Sequence, residues 1–298
     1  MSLAALIDNP DAVRAALPSK PVVYHRDPAE LRALTTREEV DALIDRECLA
    51  RQYLAVIKDG EAIDPRAYRD DDALMPRRGS MRRYLNDGHT VSLRGLHELM
   101  PPVAELCEGI ARETGYRVRA NAYYTPAGAQ GLRYHYDPYV TLVAQLSGRK
   151  TWPIHPPMVP NPVQEHLSFL ATGFTDEQLH HLANVPPPEE YTLAPGDVLW
   201  LPRGWVHAPY TVGDEPSLHM TFGLKQRTPQ WVAAQLVGDL LDQALMDPAM
   251  REDVAPEELL NSSGPLVHTV RKYLLGALLS LPEDDAVQII RAAAHRNI

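Results

Sequence analysis

Three side chains in two separated stretches have the types and spacing to hold a metal together: His135, Asp137 and His207. The first stretch, HYDPYV (135–140), sets an imidazole and a carboxylate two residues apart. In a strand, residues i and i+2 project to one face, so His135 and Asp137 would point together into a barrel interior. A His-x-Asp pair is common by chance and needs a third ligand from a distant strand. LAPGDVLWLPRGWVHAP (193–209) offers one. A Pro-Gly turn with Asp197 enters the apolar run Val198 to Leu201, and a second turn spans Pro202 to Gly204. His207 then alternates with Val206 and Ala208, which places it on one face of the next strand. Two imidazoles and one carboxylate can occupy one face of a ferrous ion and leave three positions for a co-substrate and O2. Zinc would favour four ligands, often thiolates, and neither Cys48 nor Cys107 lies near. The plain alternative is a pair of hydrogen-bonded core histidines.

Between these stretches, VTLVAQLSGRKTWPIH (140–155) reads as a hairpin about Ser147-Gly148. It returns Lys150 beside the metal-bearing strand, where a buried cation would suit the distal carboxylate of 2-oxoglutarate. The residues alone also allow a solvent-facing hairpin lysine. Arg149 would point to the opposite face.

The elements that must position these groups lie between about 117 and 225. Runs such as RVRANAYYT, DVLWLP and SLHMTFGL are rich in β-branched and aromatic residues and are broken at short intervals by Pro, Gly, Asn and Ser. That texture predicts an antiparallel sandwich or barrel, with residues 106–226 as its core. An insertion at 157–188 interrupts it, a candidate lid or substrate loop with helical pieces such as DEQLHHLA. Residues 1–105 read as mixed helices and loops packing on the barrel, including a helix in TTREEVDALIDR with a capping signal. Charge blocks at Asp70 to Asp72 and at Arg77, Arg78, Arg82 and Arg83 read as a solvated loop, or as a basic lip for an acidic substrate. Residues 227–298 turn helical again. PQWVAAQLVGDLLDQAL groups Ala233, Leu236, Val237, Leu240 and Ala244 on one face. VRKYLLGALLSL is apolar on nearly every side, which implies burial in a core or against a second subunit, so a homodimer is one expectation.

Bulk properties narrow the function classes. The 298 residues suffice for a catalytic domain with appendages. A formal net charge of −10 disfavours a general nucleic-acid surface. The tail from 226 onward carries 6 Lys/Arg and 10 Asp/Glu, a net of −4, so it is a poor DNA-binding module. Two widely spaced cysteines form neither a disulfide framework nor a zinc cluster, which makes a reducing cytoplasm the default. The first twenty residues do not read as a signal peptide, and no apolar run is long enough to span a bilayer.

The segment 193–209 resembles the second motif of the cupin superfamily. Taken with ANAYYTPAGAQGLRYHYDPYVTLVAQLSGRKTW and SLHMTFGL, it is similar to the JmjC-type cupins that include the ribosomal oxygenases, over roughly residues 90–225. The resemblance implies a mainly β chain with flanking helices, built on a double-stranded β-helix (jelly-roll) core with a C-terminal helical segment. It also implies Fe(II) at His135, Asp137 and His207 and 2-oxoglutarate paired with Lys150. Asn121 and Tyr123 match positions lining the family's active site, and Ser217 is a further co-substrate candidate. From the residues alone, Tyr123 is equally a packing aromatic. Departures include Ala129-Gln130-Gly131 where the family has Ser-Gln-Gly, and a tail with room for the helices but not obviously for a winged-helix domain as well. The implied activity is hydroxylation of a protein or peptide side chain. A small-molecule hydroxylase with the same cofactors, or a metal cupin independent of 2-oxoglutarate, is the alternative. Trp152, Trp200 and Trp205 are expected in the core, and His155, His180, His181 and His219 are assigned no metal.

Overall fold

A computed structural model describes residues 1–70, 72–163, 173–261 and 263–296, and it divides into two compact units, Met1–Gln226 and Arg227–Ile298. Residues 164–172 of the expected 157–188 insertion lie outside the described residues.

The strands of the first unit are β1 (Val22–His25), β2 (Leu54–Lys58), β3 (Glu61–Ala62), β4 (Thr90–Leu93), β5 (Arg117–Thr125) and β6 (Val140–Ser147). They continue as β7 (Arg149–His155), β8 (Glu189–Leu193), β9 (Asp197–Leu201), β10 (Val206–His207), β11 (Tyr210–Val212) and β12 (Ser217–Lys225). An eight-stranded antiparallel sheet runs β1-β9-β6-β12-β5-β4-β2-β3. A smaller sheet is centred on β7, which pairs β8 along one edge and β10 and β11 along the other. Two antiparallel sheets so connected form the expected jelly-roll, flanked by helices.

Side-chain alternation sorts the large sheet into two faces. Val118, Ala120, Ala122 and Tyr124 of β5 and Leu218, Met220, Phe222 and Leu224 of β12 join the main apolar core. Helices Arg37–Arg46 and Pro101–Thr114 contribute Val40, Ile44, Val103, Leu106 and Ile110 to it. The helix Arg37–Arg46 starts where a capping box satisfies its first amides: Thr36 accepts from the Glu39 amide, and the Glu39 carboxylate accepts from the Thr36 amide. Toward the small sheet, a second cluster holds Val143, Leu199 and Leu201 against Trp152, Ile154 and Leu193. The remaining inner positions of β5 and β12 open onto a cavity.

Four expectations need correcting. The break expected near residue 105 is absent: β1 to β4 are strands of the large sheet, and the helix Pro101–Thr114 runs through that point. The Ser147-Gly148 turn is not a hairpin, because β6 and β7 belong to different sheets. Gly148 sits at φ +62° with the Pro216 carbonyl where a Cβ would be, so the chain turns a corner from one sheet to the other. The basic lip is not at the cavity. Arg82 pairs with Asp41 and Asp45, and Arg77 with Asp70, so these charges brace neighbouring elements. Finally, the helix Ser263–Ser280 of the second unit buries none of its residues within this chain, and Leu279 is 85% exposed, so of the two kinds of burial expected for it only packing in the chain's own core is set aside. In the helix Pro229–Ala244, Leu240 and Ala244 are buried while Val237 is exposed. Among the described residues no helix is long and apolar enough to cross a membrane.

Candidate active site

His207 is held from both sides. It lies in β10, opposite Ile154 of β7, and on its other edge it forms a two-way backbone pair with His135. The His135 amide donates to the His207 carbonyl at 3.1 Å, and the His207 amide donates to the His135 carbonyl at 2.8 Å. Directly opposed residues of an antiparallel pair put their side chains on the same side. The two imidazoles accordingly stand with ring centroids 4.2 Å apart. The expected strand around His135 is reduced to this single bridge. Asp137 follows in irregular backbone, tied down by the Gly204 amide donating to its carbonyl at 2.9 Å.

Each imidazole uses its Nδ1 locally. The Nδ1 of His135 meets the Arg133 carbonyl at 2.8 Å, and that of His207 meets the Trp205 carbonyl at 2.9 Å. A carbonyl only accepts, so each Nδ1 carries a proton and donates, and Nε2 is the nitrogen left to face the cavity as a ligand. Burial, and then the neighbouring His135 ring, hold His207 well below the ordinary imidazole pKa. The Asp137 carboxylate accepts a hydrogen bond of 2.6 Å from the Thr141 hydroxyl. All three groups line one cavity. Among the described residues, no three His, Cys, Asp or Glu side chains stand close enough to hold a metal ion together. The donor chemistry nevertheless fits a divalent metal: two Nε2 lone pairs with their outer nitrogens anchored, and one carboxylate oriented by a hydroxyl.

Lys150 enters the same cavity because the Gly148 corner places it on the inner face of β7, together with Trp152. It is 2% exposed, and its ammonium donates to the Thr125 hydroxyl at 2.8 Å. Among the described residues it has no carboxylate partner. Burial alone drives its pKa down to about 7. A buried ammonium with only a hydroxyl for company is a site for an anion.

The other candidate residues divide. Asn121 lines the cavity and accepts from the Gly95 amide at 3.0 Å. Tyr123 lines it too, its ring stacked on His219 at 5.0 Å and 8°. Burial, and secondarily the Asp137 charge, raise the Tyr123 pKa. Ser217 is buried outside the cavity lining, and its hydroxyl accepts from the Gln145 side-chain amide at 2.9 Å. Sequence reasoning assigned Trp152 and His219 to structure alone. Trp152 lies over His207 at 5.6 Å, and His219 meets both Tyr123 and Trp152 within the cavity. The alternation along β7 and β12 that brings Lys150 and Thr221 inward also brings in these two rings. Trp200 and Trp205 are core residues, as expected, with indoles donating to the Pro18 and Ser19 carbonyls.

A jelly-roll whose cavity is lined by an imidazole pair, a carboxylate and a buried lysine agrees with the resemblance to the JmjC-type cupins. Residues 97–232 match the JmjC domain. The chain is 31% identical over 192 residues to the bifunctional lysine-specific demethylase and histidyl-hydroxylase NO66 of Dictyostelium discoideum, an alignment covering 64% of this chain and 34% of that protein. It is 33% identical over 172 residues to ribosomal oxygenase 2 of Rattus norvegicus, covering 57% and 34%. The X-ray structure of Escherichia coli ycfD superposes with a TM-score of 0.55 at 17% identity, over 93% of this chain and 69% of that one. A second structure of that ribosomal oxygenase, in complex with cobalt and 2-oxoglutarate, gives a TM-score of 0.53. Residues 97–232 thus carry a JmjC domain. The chain spans about a third of the length of the curated relatives it matches.

Proposed function

We propose that this protein is an Fe(II)- and 2-oxoglutarate-dependent oxygenase that hydroxylates a side chain of a protein or peptide. The observation that carries the reading is the joint presence, lining one cavity, of two anchored imidazoles, the Asp137 carboxylate and the Lys150 ammonium with no carboxylate partner among the described residues. His135 and His207 through Nε2, and Asp137 through its carboxylate, would hold the iron. Bound there, iron supplies O2 activation coupled to oxidative decarboxylation of 2-oxoglutarate to succinate and CO2.

The chain's own groups do the placing. The carbonyls of Arg133 and Trp205 keep both rings in the tautomer that offers Nε2. Thr141 keeps the Asp137 carboxylate turned to its task. Lys150 receives the distal carboxylate of the co-substrate, and Thr125 holds the ammonium in position. Trp152, His219 and Tyr123 wall the space between, which limits water around the reacting groups. The cavity measures about 1240 Å³, above the usual range of roughly 300–1,000 Å³ for a small-ligand pocket. That volume accommodates the co-substrate together with an entering side chain. The names of the relatives, ribosomal oxygenase and histidyl-hydroxylase, support a protein substrate.

The test is succinate formation from 2-oxoglutarate with Fe(II), read beside a one-oxygen mass gain in proteins of a lysate treated with the enzyme. Absence of succinate once the anaerobically iron-loaded enzyme is exposed to air with 2-oxoglutarate, with the fold intact, overturns the reading.

A further inference from the structure

The cavity has a charge balance opposite to that of the chain. Across the whole sequence 39 Asp and Glu outnumber 29 Lys and Arg. Lining the cavity outside the Lys150 pocket are Arg94, Arg117, Arg119, Arg133 and Lys225, against only Glu98 and Asp137. Glu98 is engaged by the Tyr53 hydroxyl at 3.0 Å, and Asp137 belongs to the metal set. Among the described residues, Arg94, Arg117, Arg119 and Arg133 form no ion pair.

The register concentrates these cations at one end. Arg117 of β5 lies directly opposite Lys225 of β12, and Arg119 lies opposite Gly223. Arg94 follows β4, whose Ser92 pairs with Tyr123 of β5, so it continues the same inward face. The fold sets Arg117 against Lys225, with Arg119 two residues along, so the guanidinium groups of β5 are gathered at this end of the cavity. At the other end of the same β5 row stand Asn121 and Tyr123, beside the metal residues.

We propose that this cationic stripe binds an acidic segment of the substrate polypeptide flanking the residue to be oxidised, an inference that takes its substrate class from the oxygenase reading above. The guanidinium forks of Arg94, Arg117 and Arg119 receive Asp or Glu carboxylates while the target side chain reaches past Asn121 and Tyr123. A peptide suits the stripe better than a nucleic acid. A polyphosphate needs a broad Lys/Arg surface, and this chain is strongly acidic outside the cavity.

The test is fluorescence anisotropy on the full chain without iron or 2-oxoglutarate. The probes are short fluorescein-labelled peptides with a central histidine flanked by Glu, by Gln or by Lys, and a labelled oligouridylate. The Glu peptide should bind at least about fivefold tighter than the Gln peptide, the yield of two partly exposed ion pairs, and the advantage should shrink as salt is raised. The R117Q/R119Q variant should lose the advantage while its circular dichroism stays at the parent's. Equal binding of the Glu and Gln peptides, an advantage that survives in R117Q/R119Q, or tighter binding of the oligouridylate each overturns the proposal. Succinate formation is measured separately. A chain that prefers the Glu peptide and forms no succinate refutes the oxygenase reading and leaves the recognition claim standing.

Discussion

His135 and His207 exchange two backbone hydrogen bonds, of 3.1 and 2.8 Å, across a single bridge, and this pairing is what brings their rings to 4.2 Å. The spacing between the imidazoles is thus set by main chain, and either ring can be removed without dismantling the bridge. His207→Ala and His135→Ala should each weaken Fe(II) binding by at least about a hundredfold, more than the loss of an outer partner alone. Their circular dichroism should stay at the parent's. Metal analysis after anaerobic loading measures it, and undiminished iron in either variant contradicts the ligand assignment.

Lys150 makes two pH effects. Its folded pKa is lowered to about 7, below the ordinary lysine value of 10.5. Between those limits the unfolded chain binds more protons than the folded one, so the ligand-free protein gains stability as pH rises from about 7 toward 10. Lys150→Met should flatten that slope in denaturant titrations at several pH values. Anion binding needs the ammonium, so 2-oxoglutarate affinity should fall as pH rises above about 7, with proton uptake on binding. Calorimetry at pH 8 in buffers of differing ionisation enthalpy detects the uptake. Co-substrate binding that is unaltered in Lys150→Met removes the assigned role.

Gly148 is predicted to be irreplaceable for a backbone reason. A Cβ there meets the Pro216 carbonyl, and φ of +62° disfavours any L side chain. Gly148→Ala should destabilise the protein by at least about 2 kcal/mol, combining the left-handed penalty with the clash. It should also raise the 2-oxoglutarate requirement, since this corner aims Lys150. Urea unfolding and co-substrate titration test both parts. A stability loss with unchanged co-substrate affinity would separate the corner from the pocket.

Gly223 leaves space for a neighbour of the metal set. A Cβ at this position would stand 2.8 Å from the Tyr139 ring, which the Asp137 charge and burial together keep protonated far above the usual tyrosine range. Gly223→Ala should push Tyr139 out of place and lower turnover several-fold with little change in iron content, a displacement effect near the chemistry. Rescue of turnover by the double variant Gly223→Ala/Tyr139→Ala would confirm the steric cause. No effect of the single substitution would show that Tyr139 has room to yield.

The metal candidates, the strands β5, β6, β7, β9 and β12, and the capped helices were legible in the sequence because they depend on local rules. Alternation, turn residues and capping signals act within a few positions of one another. His135, Asp137, His207 and Lys150 could be named because their residue types stand at telling spacings. Which partners the strands take is decided by contacts between segments far apart in the chain. The corner at Gly148, the recruitment of β1 to β4 into the large sheet, and the turning of Ser217 away from the cavity all follow from such pairings. The same holds for Trp152 and His219 beside the candidate metal ligands, and for Arg117 set against Lys225. Sequence by itself determined which groups could do chemistry and the local form of the segments that carry them. Which groups share a cavity, and which cations gather at one end of it, emerges on assembly, because cross-strand register and burial are properties of the finished sheets.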